Sequence, residues 1–294
     1  MSRGLVLLDK PAGMTSHDVV SRLRRIYGEK RIGHAGTLDP GATGLLVLAV
    51  GNVTRLLDYY QGKTKKYSGD VVFGVETDSY DSDGTVVSRS EVVSLDAVRL
   101  SESVQAMTGE ISQMPPVVSA IKVKGKKLYD YHRANLAVEI KPRRVRIDSI
   151  SYSMTPQANV VHIEVSCGSG TYIRSIAHDL GAALGVGAHL CNLRRLESGS
   201  FAVGEASTLE EVTSASTLSP TSAFRDFTVV GLNEEQATRA REGSRVVMPD
   251  QENDELLAFD ASAGPFLNWD QLIGVYRRES GDTFRAGIIL PAIN

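Results

Sequence analysis

Residues 33–44, with the sequence GHAGTLDPGATG, constrain the fold of this chain more than any other segment. Four glycines in twelve residues are too many for the interior of a helix or a strand, because an ordered glycine loses the most conformational freedom. The segment therefore predicts a structured loop, and the apolar run at residues 45–50 predicts a buried strand after it. Pro40 disfavours helical backbone at Asp39 and holds that residue extended. The pattern fits a carboxylate presented at a fixed angle, or else an ordinary turn.

Helices and strands of an α+β protein are predicted around this loop. The run GLVLLD at residues 4–9 is typical of a buried strand. A helix follows, because Thr15 and Asp18 have the spacing of a capping box and Gly28 supplies an end. A second helix is predicted from apolar residues three and four positions apart, at Ile173, Ile176, Ala177, Leu180 and Leu184.

Arg174 lies in the first turn of this second helix, where the helix dipole disfavours a cation by roughly 0.3–1 kcal/mol. The position predicts an anionic partner, which Asp39 or a nucleic-acid phosphate could supply. The alternative is a solvated arginine tolerated at a small cost. Tyr67 and Tyr172 offer aromatic faces near cationic groups, and core packing is the alternative for both.

The distribution of charge favours a polyanionic partner for only part of the chain. The net charge is −3, but residues 1–66 contain eleven lysines and arginines against five acidic residues, whereas residues 201–294 contain seven against fifteen. A polyanion would be attracted to the N-terminal portion and to the basic clusters of the middle. In residues 122–146, two such clusters flank a short predicted helix with Tyr129 and Tyr131, a pattern that suits an arm on an RNA backbone.

Length and composition define the broad class of protein. A chain of 294 residues predicts two domains, which we place at 1–225 and 226–294. The two cysteines, Cys167 and Cys191, form no CxxC pair, which argues against a zinc site or a disulfide framework. The sequence has no apolar run of about 18 residues and no signal-peptide pattern at its N-terminus. We therefore expect a cytoplasmic protein with no membrane association.

Several long motifs resemble one family, in the order in which that family has them. The chain closely resembles the bacterial tRNA pseudouridine-55 synthases, the TruB family, from about residue 4 to residue 201. The segments that carry the resemblance are GLVLLDKPAGMTSHDVV, GHAGTLDPGATGLL, KKYSGDVVFGVETDSYDSDG, KGKKLYDY, GSGTYIRSIAHDLG and GAHLCNLRRLESGSF.

The resemblance implies a fold and an activity. The fold would be that of pseudouridine synthases, α+β with a long mixed, largely antiparallel sheet, and the tail would be a small β-rich module. The activity would be isomerisation of one uridine, at position 55 in the T-arm of tRNA, by a monomer that needs no metal and no cofactor. Many members end in a PUA-type RNA-binding module, which residues 226–294 match only weakly.

The resemblance also implies roles for particular residues. Asp39 matches the catalytic aspartate, which could stabilise charge at the anomeric carbon, bond to it or deprotonate the sugar. Arg174 matches the arginine that pairs with this carboxylate. The implied substrate-binding residues are His34, Tyr67, Tyr172, Leu193 and Lys10.

Two other classes of function remain. An RNA chaperone would keep the fold and bind tRNA without turnover. A glycosidase or nucleosidase would need a second presented carboxylate as the acid, and none stands out in a comparable loop.

Overall fold

The computed structural model describes residues 3–92, 94–119, 121–123, 125–134, 136–266 and 268–290. The helices are α1 Ser16–Tyr27, α2 Leu57–Gln61, α3 Ala97–Ala106, α4 Leu128–Arg133, α5 Ile173–Leu184, α6 Pro220–Ala223 and α7 Glu234–Arg241. Short 3-10 turns cover Gly51–Leu56, Val203–Glu205 and Trp269–Gln271. The strands are β1 Gly4–Lys10, β2 Ile32–His34, β3 Thr43–Val50, β4 Lys65–Phe73, β5 Val75–Thr77, β6 Val86–Arg89, β7 Gly109–Gln113, β8 Lys122–Val123, β9 Lys126–Lys127, β10 Arg143–Met154, β11 Val160–Cys167, β12 Ala188–Ser198, β13 Phe201–Ala202, β14 Val229–Leu232, β15 Val246–Val247, β16 Glu255–Asp260, β17 Leu272–Ser280 and β18 Thr283–Ile289.

The chain packs into two compact units. Unit 1 comprises Met1–Asp39, Leu45–Gln61 and Ser200–Asn294, and unit 2 comprises Pro40–Gly44 and Gly62–Gly199. Asp39 is thus the last residue of one segment of unit 1, and Pro40 is the first residue of unit 2.

In unit 1, strands β1 and β3 are neighbours and are buried on both faces. Successive side chains of a strand point to opposite faces. Leu5, Leu7 and Val47 accordingly pack into one core, and Leu8 and Leu48 pack into another that contains the apolar face of α1. The predicted α1 is confirmed at both ends, with a capping box at Thr15 and Asp18 and a left-handed Gly28.

The tail of unit 1 contains a β-rich module with one helix that the sequence did not predict. Its sheet has the order β14-β16-β17-β18-β15. Leu257 and Leu272 of this sheet share a core with Leu5 and Leu45. The prediction of a β-rich tail is confirmed, whereas a domain boundary near residue 225 and a PUA-like character stay predictions. Helix α7 was missed because its sequence EEQATRAR contains only two apolar residues, both alanines.

In unit 2, long strands form a sheet in the order β12-β4-β11-β10-β7 in which every pairing is antiparallel. The first residues of β3, Thr43 and Gly44, pair parallel with Arg194 and Arg195 of β12. The sheet is therefore mixed and largely antiparallel, as predicted. Helices α3 and α5 contribute to a core with β4, β10, β11 and β12.

Several predicted boundaries move in the structure. Gly33 and His34 belong to β2, although the whole of residues 33–44 was predicted to be loop. Helix α3 begins at Ala97, after the capping residue Asp96. The aromatic helix of the basic arm is confirmed as α4, but Lys124 and Asn135 of that arm lie outside the described residues. Among the described residues, no helix is long and apolar enough to cross a membrane.

Candidate active site

The backbone that leads to Asp39 is fastened inside unit 1. Ser16, the first residue of α1, donates from its hydroxyl to the carbonyl of Leu38 (3.1 Å). The N–H of Leu38 donates back to the same hydroxyl (2.9 Å). A hydroxyl can do both because it is a donor and an acceptor. Both residues are buried, whereas Asp39 itself is half-buried, so the acid follows directly after a fixed point.

The residues after Asp39 are held inside unit 2 by a close approach of two backbones. Gly44 has φ +101°, and a Cβ at this position would lie 2.3 Å from the carbonyl oxygen of Arg195 and 2.7 Å from its nitrogen. Only glycine fits there. Glycine is also the residue that adopts positive φ without steric cost.

Lys10 and His34 are the other predicted site residues of unit 1. The side chain of Lys10 is fully buried, and its ammonium donates to the carbonyls of Pro11 (2.8 Å) and Met14 (2.7 Å). Lys10 therefore closes the turn before α1. His34 ends β2, where it pairs with Leu48 of β3 and is half-buried.

In unit 2, the structure brings Tyr67 and Leu193 to one face of the sheet. Tyr67 lies on β4, with Val165 and Arg195 as its direct neighbours on β11 and β12. Gly69 shares this face because it is two residues further along the strand. A Cβ at Gly69 would lie 3.6 Å from the Cα of Leu193, so Leu193 passes over the position next to Tyr67. Both side chains are half-buried and pack against the core of unit 2.

An irregularity in β12 carries Leu193 to this place. The register of β12 against β4 shifts between Cys191 and Arg194. Asn192 has φ +53°, and its side-chain amide donates to Asp70 (2.7 Å) on β4. Bulges of this kind re-aim a side chain next to functional sites.

Tyr172 caps the N-terminus of α5 and is held by the buried side chain of Gln113. The backbone N–H of Tyr172 donates to the Gln113 side-chain oxygen (2.9 Å), and the Gln113 amide donates to the Tyr172 carbonyl (3.0 Å). One turn into the helix, the Ser175 hydroxyl donates to the carbonyl of Met114 (2.7 Å). The start of α5 is thus fixed to the end of β7.

Arg174 is buried, with 4% of its surface exposed, so the alternative of a solvated arginine was wrong. Within unit 2 its guanidinium donates to the carbonyls of Ser79 (2.8 Å) and Val118 (3.0 Å). A carboxylate oxygen of Asp81 lies 3.4 Å from the same group. The anion that the helix dipole requires is therefore present in unit 2, and the pairing of Arg174 with Asp39 stays a prediction.

The residue that orients the Arg174 side chain was not predicted from the sequence. Asp81 has no role predicted from the sequence. Its carboxylate accepts from the hydroxyl of Ser79 (2.6 Å) and from the backbone N–H of Asp83 (3.1 Å), which fixes it toward Arg174. The one available signal was the need of Arg174 for an anion, and it does not say which carboxylate supplies it.

Two buried cations lie near Tyr67 on the sheet. Lys65 precedes Tyr67 by two residues on β4, and Arg195 is its cross-strand neighbour. Burial, and then the charge of Arg195, lower the pKa of Lys65 to about 8. Burial also raises the pKa of the Cys167 thiol, opposite Lys65, to about 11. This part of unit 2 therefore carries positive charge in a region of low polarity.

Among the described residues, no group of three or more histidines, cysteines and acids could hold an ion.

Solved structures with this fold include an RNA complex. The crystal structure of a Cbf5-Nop10-Gar1 complex matches 98% of this chain and 85% of its own, with a TM-score of 0.72 and 22% identity. The structure of an H/ACA RNP bound to a substrate RNA containing 2′-deoxyuridine matches with a TM-score of 0.71, at 20% identity, over 98% of this chain and 84% of its own. This chain therefore shares its fold with the proteins of these two structures.

Sequence relatives narrow the class. The family model described as "TruB family pseudouridylate synthase (N terminal domain)" matches residues 24–173. The model described as "tRNA pseudouridylate synthase B C-terminal domain" matches residues 174–226. Proteins named tRNA pseudouridine synthase B are 47% identical in Solibacter usitatus, over 72% of both chains, and 45% identical in Leifsonia xyli, over 83% of both. A third, from Thermobifida fusca, is 42% identical over 84% of this chain and 87% of its own.

The chain belongs to the TruB family of pseudouridylate synthases. It is an RNA uridine isomerase, and the predictions of fold, family and reaction from the sequence are confirmed.

Proposed function

We propose that this enzyme isomerises uridine 55, in the T-arm of tRNA, and that Asp39 is the catalytic carboxylate. The observation that supports Asp39 is the anchoring of its loop, with Leu38 bonded to Ser16 before it and Gly44 against the backbone of Arg195 after it. A group held in this way loses little freedom when the reaction occurs. The names of the relatives support tRNA as the substrate.

The proposed reaction breaks the N1–C1′ bond, turns the uracil within the site and forms a C5–C1′ bond. The proton that leaves C5 is balanced by one gained at N1, so the product is an isomer of the substrate. Asp39 has three roles open to it. It stabilises oxocarbenium-like charge, bonds to the anomeric carbon or removes a proton from the sugar.

The uridine must leave its folded RNA arm to reach the carboxylate, which costs a few kcal/mol of unstacking and unpairing. In our proposal Tyr67 stacks on the flipped base, a contact worth about 1–3 kcal/mol. Tyr172 and Leu193 line the pocket around it. His34 fills the space that the nucleotide leaves in the RNA.

Arg174 pairs with Asp39 in this proposal. The basic clusters at 22–31, 63–66 and 122–146 contact phosphates, so binding weakens steeply as salt is added. Lys10, whose ammonium is already bonded to two carbonyls, contributes through its charge. The enzyme acts as a monomer in the cytoplasm, where its substrate is.

Replacement of the acid tests this proposal. Asp39→Asn keeps the size of the side chain but cannot bond to the sugar or take a proton. We expect it to bind tRNA and to form no pseudouridine in nucleoside analysis, whereas Asp58→Asn, at an exposed position of α2, behaves as wild type. Persistent turnover would remove Asp39 from its role. Wild-type protein that binds and refolds tRNA without making pseudouridine would instead favour the RNA-chaperone alternative.

A second pair of variants tests the base contact. Tyr67→Ala should lower the single-turnover rate by roughly 5–150-fold, the equivalent of about 1–3 kcal/mol of lost stacking. Tyr67→Phe keeps the ring and should retain most of the rate if stacking is the role of this residue. Near-normal kinetics of the alanine variant would contradict it. Mapping of the product in a T-arm stem-loop and in an anticodon stem-loop of the same tRNA tests the site of modification.

A further inference from the structure

The loop between β5 and β6 contains a tyrosine in a conformation that tyrosine rarely adopts. Tyr80 has φ +64°, in the left-handed region. For a bulky residue this costs about 1–2 kcal/mol, and it persists only where the surroundings hold it. The ring of Tyr80 stacks on the imidazole of His178, with centroids 3.9 Å apart and planes at 12°.

The two neighbours of Tyr80 in the chain are partners of Arg174, which also donates to the carbonyl of Val118 (3.0 Å). The carbonyl of Ser79 accepts from its guanidinium at 2.8 Å, and the carboxylate of Asp81 lies 3.4 Å away. Arg174 and His178 are four residues apart on α5, hence on the same face of the helix, one turn apart. The loop is therefore attached to α5 at two adjacent points, the stack and the arginine.

His178 also has an acidic neighbour. Its Nδ1 lies 3.3 Å from a carboxylate oxygen of Glu76 on β5, and the hydroxyl of Ser88 on β6 donates to the second oxygen (3.1 Å). Burial raises the pKa of the Tyr80 phenol, as do the charges of Asp179 and Glu76, so the stacked ring stays neutral.

The backbone of the loop is tied to the strand that carries Leu193. The N–H of Leu190 donates to the carbonyl of Tyr80 (2.9 Å), and the N–H of Ser82 donates to the carbonyl of Leu190 (3.0 Å). Within the loop, the N–H of Tyr80 donates to the carbonyl of Thr77 (3.3 Å), and the hydroxyl of Thr77 donates to the carbonyl of Asp81 (2.7 Å). The stack of Tyr80 on His178 adds a contact between this hydrogen-bonded turn and α5.

We propose that Tyr80 and His178 are positioning residues for Arg174. Their stack holds the loop in its left-handed bend, so that the Ser79 carbonyl and the Asp81 carboxylate orient the guanidinium. Without the stack, Tyr80 relaxes toward ordinary backbone angles and both partners turn away from the arginine. The inference rests on the proposed role of Arg174 beside the catalytic acid.

Four variants separate the stack from the backbone strain. Tyr80→Asn tolerates left-handed φ but has no ring to stack. His178→Ala removes the other half of the stack. Tyr80→Phe keeps the ring, and His178→Phe keeps a flat ring while it removes the contact with Glu76. Each is assayed for kcat and KM with tRNA at a temperature well below its melting temperature.

We expect His178→Ala to lower kcat by about 10–100-fold, because small misplacements of a site residue are this costly. Tyr80→Asn should lower kcat less than His178→Ala, because asparagine tolerates the left-handed bend without the stack. KM should change by no more than about three-fold, since neither side chain is proposed to bind RNA. Tyr80→Phe and His178→Phe should restore most of kcat. Variants that melt at lower temperature with unchanged kcat would overturn the proposal and leave a purely structural stack.

A double-mutant cycle gives a readout that a structural role would not move. In an Arg174→Ala background, His178→Ala should cause little further loss of kcat, because the residue through which it acts is gone. If Arg174→Ala fails to fold, Asp81→Asn serves as the background. Full additivity would refute the inference.

The same experiment distinguishes this inference from the proposed function. Unchanged kcat in Arg174→Ala itself would refute the role of the arginine and the inference with it. Loss of activity in Arg174→Ala with normal kcat in His178→Ala would refute the inference alone.

Discussion

Substitution of Gly44 by alanine tests whether the close approach of β3 and β12 holds the end of the Asp39 loop. A Cβ at Gly44 would lie 2.3 Å from the carbonyl oxygen and 3.0 Å from the carbonyl carbon of Arg195. Both are backbone atoms of a strand that is paired on its other side with β4. The contact cannot be relieved by rotation of a side chain, so a strand must move.

The expected cost has two parts. Positive φ at a residue with a Cβ costs about 1–2 kcal/mol. Overpacking against atoms that must shift adds about 1–3 kcal/mol. Gly44→Ala should therefore lower the free energy of unfolding by roughly 2–5 kcal/mol, and it should reduce turnover because the chain that follows Asp39 is displaced.

Two glycines serve as matched controls in the same denaturation series. Gly13 also has positive φ, +79°, but a Cβ there would meet nothing within 4 Å, so Gly13→Ala measures the strain alone, about 1–2 kcal/mol. The three atoms nearest to a Cβ at Gly41 all belong to the flexible carboxylate of Asp83, the first at 2.9 Å, and Gly41→Ala should cost less than about 1 kcal/mol.

Thermal unfolding and single-turnover assays of the three variants measure the contribution of the backbone contact at Gly44 to stability and to turnover. At this size each kcal/mol lowers Tm by about 2–4 °C. The reasoning is refuted if Gly44→Ala unfolds within about 1 kcal/mol of Gly13→Ala, because the backbone contact would then contribute nothing.

Two further predictions concern buried polar groups. Ser16→Ala leaves the N–H and carbonyl of Leu38 without the serine hydroxyl and should cost about 1–3 kcal/mol in chemical denaturation; wild-type stability would contradict the anchoring of the loop. Burial, and then the charge of Arg195, lower the pKa of Lys65 from 10.5 to about 8 in the folded protein. Between about pH 8 and pH 10.5 the unfolded chain therefore binds more protons than the folded chain, and the free energy of unfolding increases as pH rises. Lys65→Met should lack this gain when unfolding is measured on either side of pH 8, and parallel pH profiles of the two proteins would refute it.

Local signals in the sequence predicted the elements that flank the site. The start of α1 at Thr15 and its end at Gly28 follow from hydrogen bonds and backbone angles within a few residues, and both were found. Helix α5 was predicted from the spacing of its apolar residues, which tertiary packing then uses. The Asp39 loop was recognised because its glycines exclude regular structure over most of its length.

Contacts between residues far apart in the chain could not be predicted from the sequence. The Ser16 hydroxyl bonds a residue 22 positions away, and Arg174 bonds Ser79 across 95 positions. Strand β2 was missed because its three residues, one of them glycine, have no strand pattern of their own and depend on pairing with β3. The polarity, size and structural preference of one residue do not indicate which distant residue it will bond or pair with.

The burial of Lys10 changes how the affinity of this enzyme for RNA depends on counterions. Arg3 and Lys65 are buried as well. A cation whose hydrogen bonds are made inside the protein releases no condensed ions from a nucleic acid when the complex forms, although its charge still attracts the polymer. The slope of the logarithm of the RNA-binding constant against the logarithm of the salt concentration should therefore reflect only exposed residues such as Arg22 and Arg25. The number of neutralised phosphates calculated from this slope should be smaller than the number of basic residues in the N-terminal segment.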